Sequence, residues 1–105
     1  MKERRYGKIV NLGSMSGHGA RRLNNAYAVS KAGMSSMTRA LALEWGPKNI
    51  RVNAIGPGLI KTDFARALWE DPERIERINN ANPMRRMGTV DEIAGTALWL
   101  ASPMS

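Results

Sequence analysis

A tyrosine and a lysine stand four residues apart in the segment YAVSK, at positions 27 and 31. On a helix, this spacing places both side chains on the same face. A free phenol has a pKa of about 10 and is a poor base at neutral pH. An ammonium about 4 Å away contributes on the order of 4 kcal/mol at an effective dielectric of about 20, which is the amount needed to bring this pKa down to about 7. The pair is therefore a candidate for proton transfer.

Two further segments carry groups that could act beside this pair. Ser14 follows the apolar segment GKIVNL, and its hydroxyl could hydrogen-bond a carbonyl or alcohol oxygen beside the phenol. A second apolar segment, RVNAI, ends in the turn of GPGLIKT, residues 56–62. Ligands of open α/β sheets bind beyond the carboxyl ends of the strands, so we expect both segments to contribute to one site.

The elements that must position these residues form a βαβ unit. Residues 7–12 and 51–55 are predicted strands, and residues 26–45 are a predicted long helix without proline. The glycine-rich and serine-rich residues 14–25 between the first strand and this helix are a predicted loop. Small residues at Ala32, Gly33 and Ser36 are expected to face the sheet, and Gly46 with Pro47 is expected to end the helix.

Three shorter helices are predicted beyond the second strand. Residues 62–69 look helical, and Asp71 with Pro72 starts another helix that closes at residues 82–83. Thr89 and Glu92 have the spacing of a capping box, which begins a last helix running to about residue 101. Two parallel strands need covering on both faces and both edges, so we expect the first strand to have another parallel neighbour that this chain does not supply.

The composition argues against several classes of protein. The chain has 105 residues, no cysteine and 43% hydrophobic residues, so it forms no disulfide framework and can attempt one small core. No apolar run is long enough for a signal peptide or a membrane span, and we expect a cytoplasmic protein without a membrane partner. The formal net charge is +7, but the arginine pairs at 4–5, 21–22 and 85–86 are scattered. We therefore expect a solvated surface and no nucleic-acid partner.

No metal site is predicted. His18 is the only histidine, and it is expected to be an exposed loop residue. Asp63, Glu70, Asp71 and Glu73 form an acidic group, but they stand near predicted helix starts. Carboxylates there favour the helix dipole, which explains them without a cation.

Four segments together resemble the classical short-chain dehydrogenase/reductase family over essentially all 105 residues. They are GKIVNLGS, YAVSK followed by AGM, NIRVNAIGPGLIKT, and RRMGTVDEIAGTALWLAS. The resemblance implies an α/β protein with a partial Rossmann fold, a doubly wound parallel sheet. Residues 1–105 would be the C-terminal, catalytic part of a single Rossmann-type oxidoreductase domain, without the N-terminal βαβ units and the last strand.

The resemblance also implies roles for individual residues. Tyr27 would be the general acid/base, Lys31 would hold the nicotinamide ribose and activate Tyr27, and Ser14 would position the substrate oxygen. The residues expected to contact the cofactor, NAD or NADP, are Tyr27, Lys31, Pro57, Gly58, Ile60 and Thr62. The residues expected to contact substrate are Ser14, Ser16, Phe64, Leu68 and Trp69. The reaction would interconvert a small secondary alcohol and a ketone, and the intact protein would be a homodimer or homotetramer.

Several alternatives remain at this point. The segment GLIKTDFARALW is similar to carbonyl reductases of the dehydrogenase/reductase member 4 type, but this local similarity does not determine a substrate, a direction or the choice of NAD or NADP. The family's glycine-rich cofactor turn is not found in these residues. The alternative function is therefore an inactive fragment, or a binding or assembly module without enzyme activity, since a nicotinamide site without that turn loses most of its contacts.

Overall fold

The computed structural model describes residues 1–19 and 24–105. In these ranges the chain forms two strands and four α-helices. Their bounds are β1 Gly7–Leu12, α1 Asn25–Trp45, β2 Ile50–Ile55, α2 Arg66–Trp69, α3 Pro72–Ala81 and α4 Val90–Ala101. Three short 3-10 turns, Met15–His18, Gly46–Lys48 and Asp63–Ala65, lie between them.

The two strands form a parallel pair, with α1 as the connection between them. Gly7 lies opposite Ile50 and Leu12 opposite Ile55, so the pair is in register along its whole length. The apolar core lies on β2, where Ile50, Val52 and Ile55 are buried. The predicted βαβ unit is confirmed, and the carboxyl ends of both strands meet at one edge, as a parallel sheet requires.

Helix α1 presents a different face to the sheet from the one expected. Ala32, Gly33 and Ser36 are exposed, whereas Thr38 is buried. The Asn11 side-chain amide on β1 donates to the Thr38 hydroxyl at 2.9 Å, and this hydroxyl donates in turn to the Met34 carbonyl at 2.8 Å. A buried polar group such as the Thr38 hydroxyl needs a hydrogen-bond partner. The bond to Asn11 therefore favours the orientation of α1 in which the Thr38 side faces the sheet. The small-residue pattern predicted the wrong face.

Helix α1 ends at Gly46 and Pro47, as predicted. Gly46 caps the helix with right-handed backbone angles, and the chain continues into the 3-10 turn Gly46–Lys48. Asn49, which caps this turn, has a left-handed backbone with φ 57°. Asparagine tolerates this conformation better than most residues, and its side chain donates to the Arg5 carbonyl at 3.0 Å.

The elements beyond β2 are close to those predicted. The helix predicted for residues 62–69 is divided into the 3-10 turn Asp63–Ala65 and the four-residue α2. Asp71 caps α3 by accepting from the backbone N–H groups of Glu73 and Arg74. Thr89 and Glu92 form the predicted capping box of α4. Helix α4 contacts both strands. No helix in the described ranges is both long and apolar enough to cross a membrane.

Candidate active site at the carboxyl edge of the strands

Ser14 lies directly after β1, at the edge where both strands end. Its backbone is extended, and it caps the 3-10 turn Met15–His18. The residue is buried, and its hydroxyl oxygen accepts from the backbone N–H of Ser16 at 3.1 Å. The Ser16 hydroxyl accepts in turn from the Asn24 side-chain amide at 3.4 Å. These contacts hold the Ser14 hydroxyl at the sheet edge, where it keeps its own proton to donate.

Backbone hydrogen bonds join the two loops that follow the strands. The Gly13 N–H donates to the Ile55 carbonyl at 2.7 Å. Two residues further along each loop, the Met15 N–H donates to the Pro57 carbonyl at 3.0 Å. The loop that carries Ser14 and the Gly-Pro-Gly turn are therefore fixed side by side, as the sequence predicts for the end of a parallel sheet.

Tyr27 and Lys31 lie on the same face of α1, in its first two turns. The Lys31 ammonium nitrogen is 5.6 Å from the centre of the Tyr27 ring, within the range of a cation–π contact. The same nitrogen donates to the Leu12 carbonyl at 2.8 Å, which ties the side chain to the last residue of β1. An ammonium has three donors, so Lys31 retains donors for a ligand beyond this contact. Tyr27 is 38% exposed and accessible to one.

Gly17 lets the 3-10 turn Met15–His18 pack closely against α1, the helix that carries Tyr27 and Lys31. A β-carbon at this position would lie 2.8 Å from the Lys31 carbonyl carbon and 2.9 Å from the Ala32 nitrogen. Both are backbone atoms that cannot rotate away, so only glycine fits without a shift. The sequence does not predict this contact. Its only signal was a glycine three residues after Ser14, in a segment that contains several glycines.

The predicted cofactor residues lie along the segment after β2. A β-carbon built at Gly58 would meet no atom within 4 Å, so the backbone there is open to close approach by a flat ligand. Thr62 caps the next turn through its hydroxyl, which accepts from the Ala65 N–H at 3.3 Å. Its carbonyl accepts from the Trp69 indole N–H at 2.9 Å. Ile60 and Thr62 are half-buried.

The predicted substrate residues lie in two places, the sheet edge and the segment after β2. Ser16 lies at the sheet edge beside Ser14. Trp69 packs back onto its own loop, with the Lys61 ammonium 5.1 Å and the Arg66 guanidinium 6.0 Å from its ring. Leu68 is 38% exposed and Phe64 is 91% exposed. The structure therefore brings Ser14 and Ser16 together and leaves Phe64 pointing to solvent. In residues 1–19 and 24–105, no group of His, Cys, Asp and Glu side chains is arranged to hold a metal ion.

A family model and several known proteins match this chain over all or nearly all of its length. A model of the family described as enoyl-(acyl carrier protein) reductase matches residues 1–105. Galactitol 2-dehydrogenase (L-tagatose-forming) of Cereibacter sphaeroides is 45% identical over 105 residues, which are 98% of this chain and 41% of the relative. Dehydrogenase/reductase SDR family member 4 of Bos taurus is 40% identical over 102 residues, 97% of this chain and 37% of the relative.

The fold is also that of solved structures. A gluconate 5-dehydrogenase from Burkholderia cenocepacia, in complex with NADP and tartrate, superposes with a TM-score of 0.91 at 33% identity. The match covers 95% of this chain and 39% of that one. The chain thus spans about two fifths of the length of the proteins it matches.

Proposed function

Because this chain belongs to the short-chain dehydrogenase/reductase family, we propose that it carries the proton-transfer half of an NAD- or NADP-dependent oxidoreductase site. The reaction is the interconversion of a secondary alcohol and a ketone. The observation that supports this most directly is the placement of the Lys31 ammonium, 5.6 Å from the Tyr27 ring and 2.8 Å from the Leu12 carbonyl. A cation beside a phenol, at the strand edge that also carries Ser14, supports the assignment of these three residues.

Each of the three residues has a defined role in this proposal. The Tyr27 hydroxyl gives its proton to the carbonyl oxygen in reduction, and the phenolate takes a proton from the alcohol in oxidation. The Lys31 ammonium stabilises the phenolate in both directions and holds the ribose. Ser14 donates a hydrogen bond to the reacting oxygen. A bound nicotinamide supplies or accepts the hydride at carbon.

The cofactor and substrate contacts of the proposal extend from these three residues. Pro57, Gly58, Ile60 and Thr62 form the nicotinamide side, and Ser16 with the segment that carries Phe64, Leu68 and Trp69 forms the substrate side. Among substrates, polyols are the first to test, since a galactitol dehydrogenase is 45% identical. Residues 1–105 act in this proposal as the catalytic part of a single Rossmann-type domain.

The test is Tyr27→Phe in the protein expressed from its own gene. This change removes one oxygen and keeps the ring over Lys31. We expect kcat to fall about a hundredfold to ten-thousandfold, the usual contribution of general acid–base catalysis, when NAD or NADP reduction with polyols is followed by absorbance. Tyr6→Phe is the matched control, because Tyr6 is the other tyrosine and is similarly exposed, at 48%. Equal rates for the two variants would refute the assignment of Tyr27.

A further inference from the structure

The segment that follows the Gly-Pro-Gly turn is attached to a distant part of the chain, the turn before α4. The Gly88 N–H donates to the Leu59 carbonyl at 3.0 Å, and the Lys61 N–H donates to the Gly88 carbonyl at 3.0 Å. The two hydrogen bonds make a single parallel bridge between Ile60 and Gly88. Ile60 is therefore held from both sides by backbone bonds to a residue 28 positions later in the chain.

Gly88 allows this bridge because it has no side chain. A β-carbon at Gly88 would lie 2.5 Å from the terminal methyl group of Ile60. The Ile60 side chain therefore occupies the space over the Gly88 backbone. Any larger residue would push against the side chain of Ile60, which lies between Gly58 and Thr62 in the proposed nicotinamide segment.

The carboxylate of Glu92 holds the turn that carries Gly88. It accepts from the Arg86 guanidinium at 3.0 and 2.5 Å and from the Thr89 N–H at 2.8 Å. Arg86 also donates to the carbonyl of Met87, the residue before Gly88, at 2.9 Å. The same guanidinium therefore binds both the Glu92 carboxylate and the backbone next to Gly88. The Arg86 hydrogen bond, followed by the Thr89 backbone hydrogen bond, lowers the pKa of Glu92 from its usual 4.5 to about 2, so the carboxylate keeps its charge well into the acid range.

We infer that Arg86, Gly88 and Glu92 form a clasp that positions Ile60 and Thr62 against the cofactor. The three are positioning residues, because they act on the cofactor only through the bridge to Ile60. The inference rests on the proposed function, since it assigns the clasp a role in cofactor binding. It adds that the cofactor segment is held in place from the start of α4 as well as from the end of β2.

The experiment compares Glu92→Ala with Asp91→Asn in the protein expressed from its own gene. Glu92→Ala removes every bond of the carboxylate. Asp91→Asn removes a negative charge from the same helical turn, and in the described part of the chain its side chain makes no hydrogen bond. We expect Glu92→Ala to raise the cofactor KM about tenfold, with kcat within about twofold of wild type, because a remote misplacement of the binding segment weakens binding. Asp91→Asn should leave both constants unchanged.

Two additional measurements separate positioning from a general loss of structure. Glu92→Gln keeps an acceptor oxygen for Thr89 and Arg86, so its cofactor KM should lie between that of wild type and that of Glu92→Ala. Amide hydrogen exchange should quicken at Lys61 and Gly88 in Glu92→Ala, while the amides of β1 keep their protection. If the amides of β1 also lost protection, the clasp would stabilise the whole fold and would not specifically position Ile60 and Thr62. That result would overturn the inference.

The failures of the two proposals are distinguishable. If the wild-type protein turns over NAD or NADP and Glu92→Ala behaves as Asp91→Asn does, the clasp inference is wrong and the proposed function stands. If the wild-type protein turns over neither cofactor, the proposed function fails, and a role of the clasp in cofactor binding fails with it.

Discussion

At the scale of single residues, the Lys31 ammonium connects the chemistry to the fold. A lysine side chain loses up to about 2 kcal/mol of rotamer freedom when it is fixed, so an untethered lysine would spend little time beside the phenol. Its hydrogen bond to the Leu12 carbonyl restricts it to the end of β1. This restriction is independent of any ligand, and it leaves the ammonium near Tyr27 before a cofactor arrives. The site is therefore partly preorganised.

Gly17 gives the sharpest residue-scale prediction. Gly17→Ala adds a methyl group 2.8 Å from the backbone of Lys31, and we expect a loss of about 1–3 kcal/mol in the free energy of unfolding, the usual cost of overpacking. Gly33→Ala on α1 is the matched control, because a β-carbon there meets nothing within 4 Å. It should instead stabilise the helix by up to about 1 kcal/mol. Urea unfolding of both variants measures the difference, and a change of the same sign in both would contradict the packing of the Ser14 turn on α1.

At the scale of secondary structure elements, α4 is held at its start by several contacts, most of them made by the carboxylate of Glu92. The capping box of Thr89 and Glu92 satisfies N–H groups of the first turn, and the Arg86 guanidinium adds a second partner for the same carboxylate. Asp91 and Glu92 also place negative charge at the positive end of the helix dipole. The single carboxylate of Glu92 therefore connects the helix start to the turn before it.

This arrangement predicts a pH-dependent stability. The pKa of Glu92 is lowered from its usual 4.5 to about 2 in the folded chain, chiefly by the Arg86 hydrogen bond. A lowered pKa means that the stabilisation is present above the unfolded value and is lost as pH falls through the folded value. Wild type should therefore be more stable than Glu92→Gln at pH 6, and the difference should shrink as pH falls from about 4.5 to about 2.

The cause of this pH dependence can be tested separately. Arg86→Met removes the guanidinium, so the pH dependence of stability between about 4.5 and 2 should become shallower, while the Thr89 contact remains. Thermal unfolding across this range at constant ionic strength is the measurement. An unchanged slope in Arg86→Met would mean that another contact lowers the pKa of Glu92.

At the scale of the whole molecule, the described residues make one edge of the proposed site. Two parallel strands, a long helix and the loops after both strands bring Ser14, Tyr27 and Lys31 to the carboxyl edge. The relatives are longer, and this chain spans 41% of the galactitol dehydrogenase it matches. A nicotinamide cofactor also needs contacts for its pyrophosphate, which in Rossmann-type proteins come from a glycine-rich turn at a helix start. That turn was not found in these 105 residues.

The expected result at this scale is weak cofactor binding by the 105 residues alone. Most of the affinity of such sites comes from the pyrophosphate contacts, so titration with NADH and NADPH should show no saturation below about 1 mM, or about 4 kcal/mol of binding free energy. Cofactor fluorescence reports the binding, and the galactitol 2-dehydrogenase of Cereibacter sphaeroides, titrated under the same conditions, is the comparison. Micromolar affinity of the 105 residues would show that these contacts are dispensable.

The sequence by itself determined the local features of this protein. The spacing of Tyr27 and Lys31, the two apolar strands, the Asp71 cap of α3 and the Thr89–Glu92 box depend on neighbours within a few residues, so their patterns can be read directly. The family resemblance rests on the same short segments and is confirmed by the match to residues 1–105. The roles of Ser14, Tyr27 and Lys31 stay proposals.

Only the tertiary structure decided the contacts between segments far apart in the chain. The Lys31 bond to Leu12, the seat of Gly17 on α1 and the bridge of Gly88 to Ile60 join residues separated by 14 to 28 positions, and no periodic pattern marks such partners. The tertiary structure also decided which face of α1 packs against the sheet, because small residues occur on both sides of the helix. The buried Asn11–Thr38 hydrogen bond chose between those sides, since a buried polar group must be paired.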